Sequence, residues 1–204
     1  MLEVKDLACA RGEVQLFAGL NFALSPGEIM QVQGENGSGK TTLLRTLCGF
    51  CQPVAGEIVW RGTEINEAEE AFHADMVYLG HLNAVKDEFS ALENLRISCA
   101  MAGWEVSHSE AMSALARMGL KGRETFPVRV LSQGQRRRVA LARLLISKAD
   151  LWVLDEPLTA LDVGAVDLIQ SIIKLHLFNG GMVIFTTHQV LDIPEVDIRR
   201  LNLS

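Results

Sequence analysis

Proline is scarce in this chain, 5 of 204 residues, and no repeat, low-complexity tract or long Pro/Gly/Ser linker interrupts it. With 49% hydrophobic and 22% charged residues, that composition excludes a disordered chain and a collagen-like one, and leaves ample material for a core. Positive charge is also in deficit: 19 Lys and Arg face 25 Asp and Glu, a net charge of −6. A surface acidic on balance is a poor general nucleic-acid binder, so no nucleic-acid partner is expected. No uninterrupted apolar run approaches the roughly 18–20 residues that cross a bilayer. Charges at Glu3, Lys5 and Asp6 stand where a signal peptide would be hydrophobic. The expectation is an intracellular chain that reaches any membrane through a partner. Cysteines number 4, and Cys48 and Cys51 form one C-x-x-C without a second Cys or His pair at zinc spacing. Reduced, structural thiols are expected.

The length favours one domain carrying a small subdomain. Strands are read over residues 2–8, 20–24, 28–33, 56–60 and 76–79, with Ser25-Pro26-Gly27 as a turn. A helix is read over 41–47, stopped by Gly49. Residues 86–130 turn helical, with Leu92, Leu95 and Cys99 in one register and Ala111, Leu115 and Met118 in another. A helix over 133–146, a buried strand over 151–154, a helix over 163–177 and a strand over 182–185 follow. Apolar strands alternating with helices imply a parallel sheet with helices on its faces. The fold class is α/β.

Three motifs carry chemistry. Gly34-Glu35-Asn36-Gly37-Ser38-Gly39-Lys40-Thr41 matches G-x-x-x-x-G-K-[ST] and runs from a strand into a helix, the context the motif requires. Its backbone N–H groups and the helix start can wrap phosphate, with Lys40 on the β- and γ-phosphates and the Thr41 hydroxyl on Mg²⁺. Thr42 follows in the same turn. The apolar strand Leu151-Trp152-Val153-Leu154 ends in Asp155, a Mg²⁺ ligand through water, and Glu156, placed to polarise the attacking water. Ser132, Gln133, Gly134 and Gln135 open a helix and form a second phosphate-binding surface.

One phosphate loop and one such signature in a single chain resemble the ATP-binding-cassette (ABC) ATPases, and the resemblance runs in order across nearly the whole chain. It implies a P-loop ATPase with a mixed sheet core, N-terminal antiparallel strands and an inserted helical subdomain at about 86–130. It also implies a head-to-tail pair of copies, in which the signature loop of one covers the ATP of the other. Thr159-Ala160-Leu161-Asp162 resembles the loop that touches the partner copy, and His188 the switch histidine at the γ-phosphate. Gln133 stands where the family's signature usually has Gly, and two further positions depart from the family pattern. Arg11 stands where an aromatic residue usually stacks on adenine; a guanidinium plane can stack there too, and Phe17 is an alternative whose commoner role is core packing. His81 stands where a Gln usually contacts Mg²⁺ and couples to the membrane subunit; neutral imidazole can ligate a metal or hold its water. The triplet Arg136-Arg137-Arg138 is read as solvent and partner-subunit contacts.

Gly80-His81, Ser90-Ala91-Leu92-Glu93-Asn94, the Thr-Ala-Leu-Asp loop and the run from Gly180 to Gln189 resemble the branch of the family that serves bacterial cytochrome c maturation. That resemblance implies a peripheral ATPase at the cytoplasmic face of the inner membrane, assembled with membrane proteins CcmB and CcmC and acting functionally on the haem chaperone CcmE. No C-x-x-C-H is present, and His73, His81, His108 and His176 share no ligating spacing, so no direct haem binding is expected. The rival readings are an ABC subunit exporting lipid, drug or peptide, a soluble non-transport ABC protein, and a kinase or GTPase sharing only the phosphate loop.

Overall fold

The computed structural model describes residues 1–189 and 191–203. The chain begins with β1 (Leu2–Arg11) and β2 (Val14–Leu24), an antiparallel hairpin whose register runs from Leu2 opposite Leu24 to Arg11 opposite Val14. β3 (Ile29–Gln33) leads through the phosphate loop into helix α1 (Lys40–Leu47). β4 (Ala55–Trp60), β5 (Thr63–Glu64), α2 (Glu69–Ala74) and β6 (Met76–Leu79) follow. Helices α3 (Ala91–Met101) and α4 (His108–Leu115), with a π-helical turn over Ala116–Leu120, fill the central segment. Then come α5 (Gln133–Leu141), β7 (Leu151–Asp155), α6 (Val163–Phe178), β8 (Met182–Thr186) and β9 (Ile198–Asn202).

The strands form two sheets. β2-β1-β4-β5 is antiparallel and β6-β7-β8-β3-β9 is parallel. The central parallel strands β7 and β8 are buried on both faces, as their continuous apolar runs require. Val77, Leu79, Trp152, Leu154, Val183 and Phe185 point into one apolar cluster with α3, α4, α5 and α6. Their alternate neighbours Met76, Leu151, Val153, Met182 and Ile184 point into a second, with α1 and the antiparallel sheet. The period-2 side-chain rule of a strand thus sorts each residue to one core or the other. The central helices share the first cluster with the sheet and have no separate core of their own. Leu43, Leu44 and Leu47 of α1 are fully buried in the second cluster, each worth roughly 1.5–3 kcal/mol relative to exposure.

The expected elements recur with shifted bounds. β2 starts at Val14 rather than at residue 20; its first half is mostly exposed, with Phe17 buried, and its apolar residues do not alternate cleanly. The helix expected over 133–146 ends at Leu141 and finishes as a 3₁₀ turn, Ala142–Leu145. β9, with the sequence Ile-Arg-Arg-Leu-Asn, was not anticipated: it is an edge strand paired only with β3, and its exposed arginines hide the alternation. Among the described residues, no helix is long and apolar enough to cross a membrane.

Candidate nucleotide-binding site

All five parallel strands point their C-terminal ends the same way, and a cleft of about 520 Å³ opens beside those of β3, β7 and β8. An open α/β sheet binds ligands at this edge. It is lined by Asn36, Gly37, Gly39, Lys40, Thr41 and Thr42 from the phosphate loop and α1, by Asp155, Glu156, Thr159, His81 and His188, and by Arg11 and Leu16 of the hairpin. Sequence motifs far apart in the chain thus converge. Gly34, Glu35 and Ser38, the other sequence-predicted phosphate-loop residues, do not line this cleft.

The start of α1 is left open. Gly39 precedes it with φ 97, a left-handed conformation natural to glycine, and no side chain caps the helix. No acidic residue stands in its first turn. The free N–H groups and the positive end of the helix dipole therefore face the cleft. Lys40 Nζ donates to the carbonyls of Gly34 and Glu35, both at 2.8 Å, which holds the ammonium inside the loop. The Ser38 hydroxyl oxygen is sealed from solvent without a hydrogen-bond partner among the described residues. An orphan donor in such a loop suits a phosphate oxygen.

Asp155 is buried and held from two sides. Thr41 Oγ1 donates to Oδ2 at 2.9 Å, and Thr186 Oγ1 donates to Oδ1 at 2.7 Å. Register explains the second contact, since Asp155 and Thr186 are direct partners of β7 and β8. A hydroxyl and a carboxylate meeting beside a phosphate loop are the hard oxygen donors Mg²⁺ prefers. Among the described residues, no group of three or more His, Cys, Asp or Glu could hold a metal, so an ion here would take its remaining ligands from phosphate and water. His81 is exposed and lines the same cleft.

Glu156 turns the chain out of the sheet with φ 51, unusual for a non-glycine residue. Its N–H donates to Thr186 Oγ1 at 3.0 Å. Its carboxylate accepts from the His188 backbone N–H at 3.3 Å and lies 3.5 Å from His188 Nε2. The acid and the histidine are therefore neighbours, with the imidazole more exposed than the carboxylate.

Phe17 is buried in the second core and does not line the cleft; Leu16, which no motif marks, does. The signature residues lie elsewhere. Ser132 caps α5 by accepting from Gln135 N–H at 3.2 Å, and the Gln135 side chain accepts from Ser132 N–H at 3.0 Å. Ser132 and Gln133 are exposed. Gly134 lies so close to the Thr159-Ala160 loop that a Cβ there would stand 2.6 Å from the Ala160 carbonyl oxygen. Asp162 caps α6 through Ala165 N–H at 2.9 Å and pairs with Arg138. The reading of the arginine triplet as surface contacts needs correction: Arg137 is 3% exposed and turned inward, while Arg136 and Arg138 are half-buried and pair with Asp87 and Asp162. The helical period sends adjacent residues in different directions, and the sequence does not tell which of three identical residues points in.

A family model described as ABC transporter matches residues 17–159. A relative in Nitrosomonas europaea, named cytochrome c biogenesis ATP-binding export protein CcmA, is 56% identical over all of this chain and 96% of its own length. Proteins of the same name in Dechloromonas aromatica (53%, all of both chains) and Escherichia coli K12 (45%, all of this chain and 97% of the relative) are similar end to end. This chain belongs to the CcmA family of ABC ATPases. Among solved structures, a putative ABC transporter ATP-binding protein of Pyrococcus furiosus superposes with a TM-score of 0.84 at 28% identity, covering 99% of this chain and 96% of that one. A dimeric bacterial ABC transporter cassette superposes with 0.85 at 23% identity over 99% and 94%, a likeness of fold alone. The α/β cassette fold and ATP hydrolysis as the family's activity are thereby established for this chain.

Proposed function

We propose that this chain is the ATP-hydrolysing motor of a membrane complex for cytochrome c maturation, coupling ATP turnover to haem export or to release of the haem-loaded chaperone CcmE. The reading rests on end-to-end similarity to the CcmA proteins and on the meeting of Lys40, Thr41, Asp155, Glu156 and His188 in one cleft. ATP lies with its phosphates on residues 34–42. Lys40 leaves the Gly34 and Glu35 carbonyls for the β- and γ-phosphate oxygens, and Ser38 gains the partner it lacks. Arg11 and Leu16 flank the base, the guanidinium by stacking and the leucine by contact.

Thr41 and Asp155 would hold Mg²⁺, with His81 able to hydrogen-bond a water on it; the ion would supply neutralisation of the charge that builds on the phosphate oxygens. Glu156 accepts the proton of the water that attacks the γ-phosphorus, the bond to the β–γ bridging oxygen breaks, and ADP and phosphate leave. His188 hydrogen-bonds the γ-phosphate and stays oriented through Glu156. In a head-to-tail pair, the exposed start of α5, Ser132 to Gln135, covers the partner's nucleotide, and the loop to Asp162 lies at the same seam. The segment 86–130 is the subdomain that moves on closure, and the loop from His81 passes that motion to CcmB- and CcmC-like membrane proteins. The chain then sits peripherally at the cytoplasmic face of the inner membrane.

Tagged Glu156→Gln, purified from its native membranes with ATP present and examined by mass spectrometry, tests the assignment. Recovery of CcmB-, CcmC- and CcmE-like proteins is expected, whereas recovery of an unrelated permease would discard cytochrome c maturation and keep the motor. The same variant should bind ATP while its turnover falls about 10²–10⁴-fold, the span of a lost general base; near-normal turnover would remove Glu156 from that role.

A further inference from the structure

Arg137 is buried in the middle of α5 and uses its whole guanidinium. Nε donates to the Pro157 carbonyl at 3.2 Å. Nη2 donates to the Asp155 and Glu156 carbonyls at 3.1 and 2.8 Å. Nη1 donates to the Gly80 carbonyl at 3.0 Å and to Asn83 Oδ1 at 3.1 Å. A guanidinium has five N–H donors, and each finds an acceptor.

None of the five acceptors is charged, so this is not an ion pair in the ordinary sense. Three consecutive carbonyl oxygens, 155 to 157, converge on one cation. Such an array repels itself unless a cation or donor sits at its focus. The middle residue of the three is Glu156, whose left-handed φ of 51 turns its carbonyl inward and its carboxylate toward His188. The other end of the guanidinium grips residues 80 and 83, on either side of His81. One side chain therefore fastens the loop of the catalytic acid to the loop that carries His81.

We propose that Arg137 is a positioning residue: it fixes the backbone of Glu156 in the conformation that aims its carboxylate, and it makes any displacement of the His81 loop felt at that acid. The proposal rests on the ATPase reading and concerns turnover, not nucleotide affinity, because the hydrogen bonds of Arg137 among the described residues go to residues 80, 83 and 155–157 and not to the phosphate loop. A lysine has one nitrogen and cannot span both loops with a planar fork, so Arg137→Lys keeps the charge and loses the bridge.

The full-length chain, with the fraction of nucleotide-competent sites counted by titration with a fluorescent ATP analogue, separates the two. In Arg137→Gln, kcat per competent site should fall about 10²-fold, the penalty of a small misplacement, while the ATP affinity of those sites stays within about threefold, the scale of a change that leaves phosphate contacts intact. Arg137→Lys should recover part of the loss. Asn83→Ala removes a single acceptor and should lower kcat about two- to tenfold, the scale of one hydrogen bond, without unfolding the chain. Wild-type kcat per competent site in both Arg137→Lys and Asn83→Ala would overturn the proposal, as would a loss of ATP affinity as large as that of kcat. A wild-type chain that binds ATP and does not hydrolyse it would instead remove the ATPase reading beneath it.

Discussion

Among the described residues, five helices are eight residues or longer, and their first turns are not alike. α3, α4, α5 and α6 each begin on a side chain that accepts from their own backbone: Ser90, Ser107, Ser132 and Asp162. α1 begins on Gly39 with no such bond. A capped helix has spent its orphan N–H groups on itself, and an uncapped one keeps them for something else. The capped starts differ among themselves as well. α3 and α4 close their boxes with Glu93 and Glu110, which set a negative charge against the positive helix end; α5 closes its box with neutral Gln135. The two starts without a carboxylate at cap or third position, those of α1 and α5, belong to the two motifs assigned to phosphate. The same local chemistry serves stability where charge is cancelled and anion binding where it is left.

Making α1 resemble α3 should have the largest effect. Thr42→Glu places a carboxylate at the third position of α1, where it competes with the triphosphate; ATP affinity measured by equilibrium dialysis should fall about 10²-fold or more, with thermal stability unchanged or higher. Making α5 resemble α4 is gentler. Gln135→Glu keeps the capping box and adds one charge, so the chain should hold or gain about 0.3–1 kcal/mol. In a Glu156→Gln background, ATP-induced pairing measured by light scattering should weaken about fivefold. A gain in both would mean that α5 does not face a nucleotide. Ser107→Ala at α4 should cost about 1 kcal/mol in denaturant unfolding and leave ATP turnover unchanged.

The smallest effect is one of pH. Ser90 N–H and hydroxyl hold the Glu93 carboxyl below its usual value of 4.5, and the Ser107 hydroxyl and N–H do the same for Glu110. The folded form favours the ionised carboxylates, so their contribution is complete at neutral pH and fades as pH falls below about 4.5 toward the lowered folded values. Amide exchange at the first turns of α3 and α4, taken relative to the intrinsic rate at each pH, should therefore rise in that range. The first turn of α5, boxed by an amide that does not titrate, should show no such rise.

What was legible in the sequence was local. The phosphate loop and the acids at the end of β7 depend on a few consecutive residues, and the strand–loop–helix context around them is written in the same stretch. The two faces of the parallel sheet were legible only as continuous apolar runs; which of the two clusters Leu151 or Trp152 joins is decided by what packs there. Leu16 reached the cleft because the hairpin folds back over the phosphate loop, and nothing in the run Val-Gln-Leu-Phe says so. β9 escaped because an edge strand buries little and its arginines read as loop. Arg137 was hidden by its neighbours: three arginines in a row share one composition and have three different fates.

The left-handed backbone at Glu156 carries a consequence for anyone altering this protein. A non-glycine residue in that region costs on the order of 1–2 kcal/mol, and glycine or asparagine would sit there more comfortably. A library of variants selected for heat resistance would therefore enrich Glu156→Gly and Glu156→Asn, and each winner would have surrendered the carboxylate proposed as the general base. For this chain, thermal endurance and work are opposing selections at a single residue, and a screen must read both.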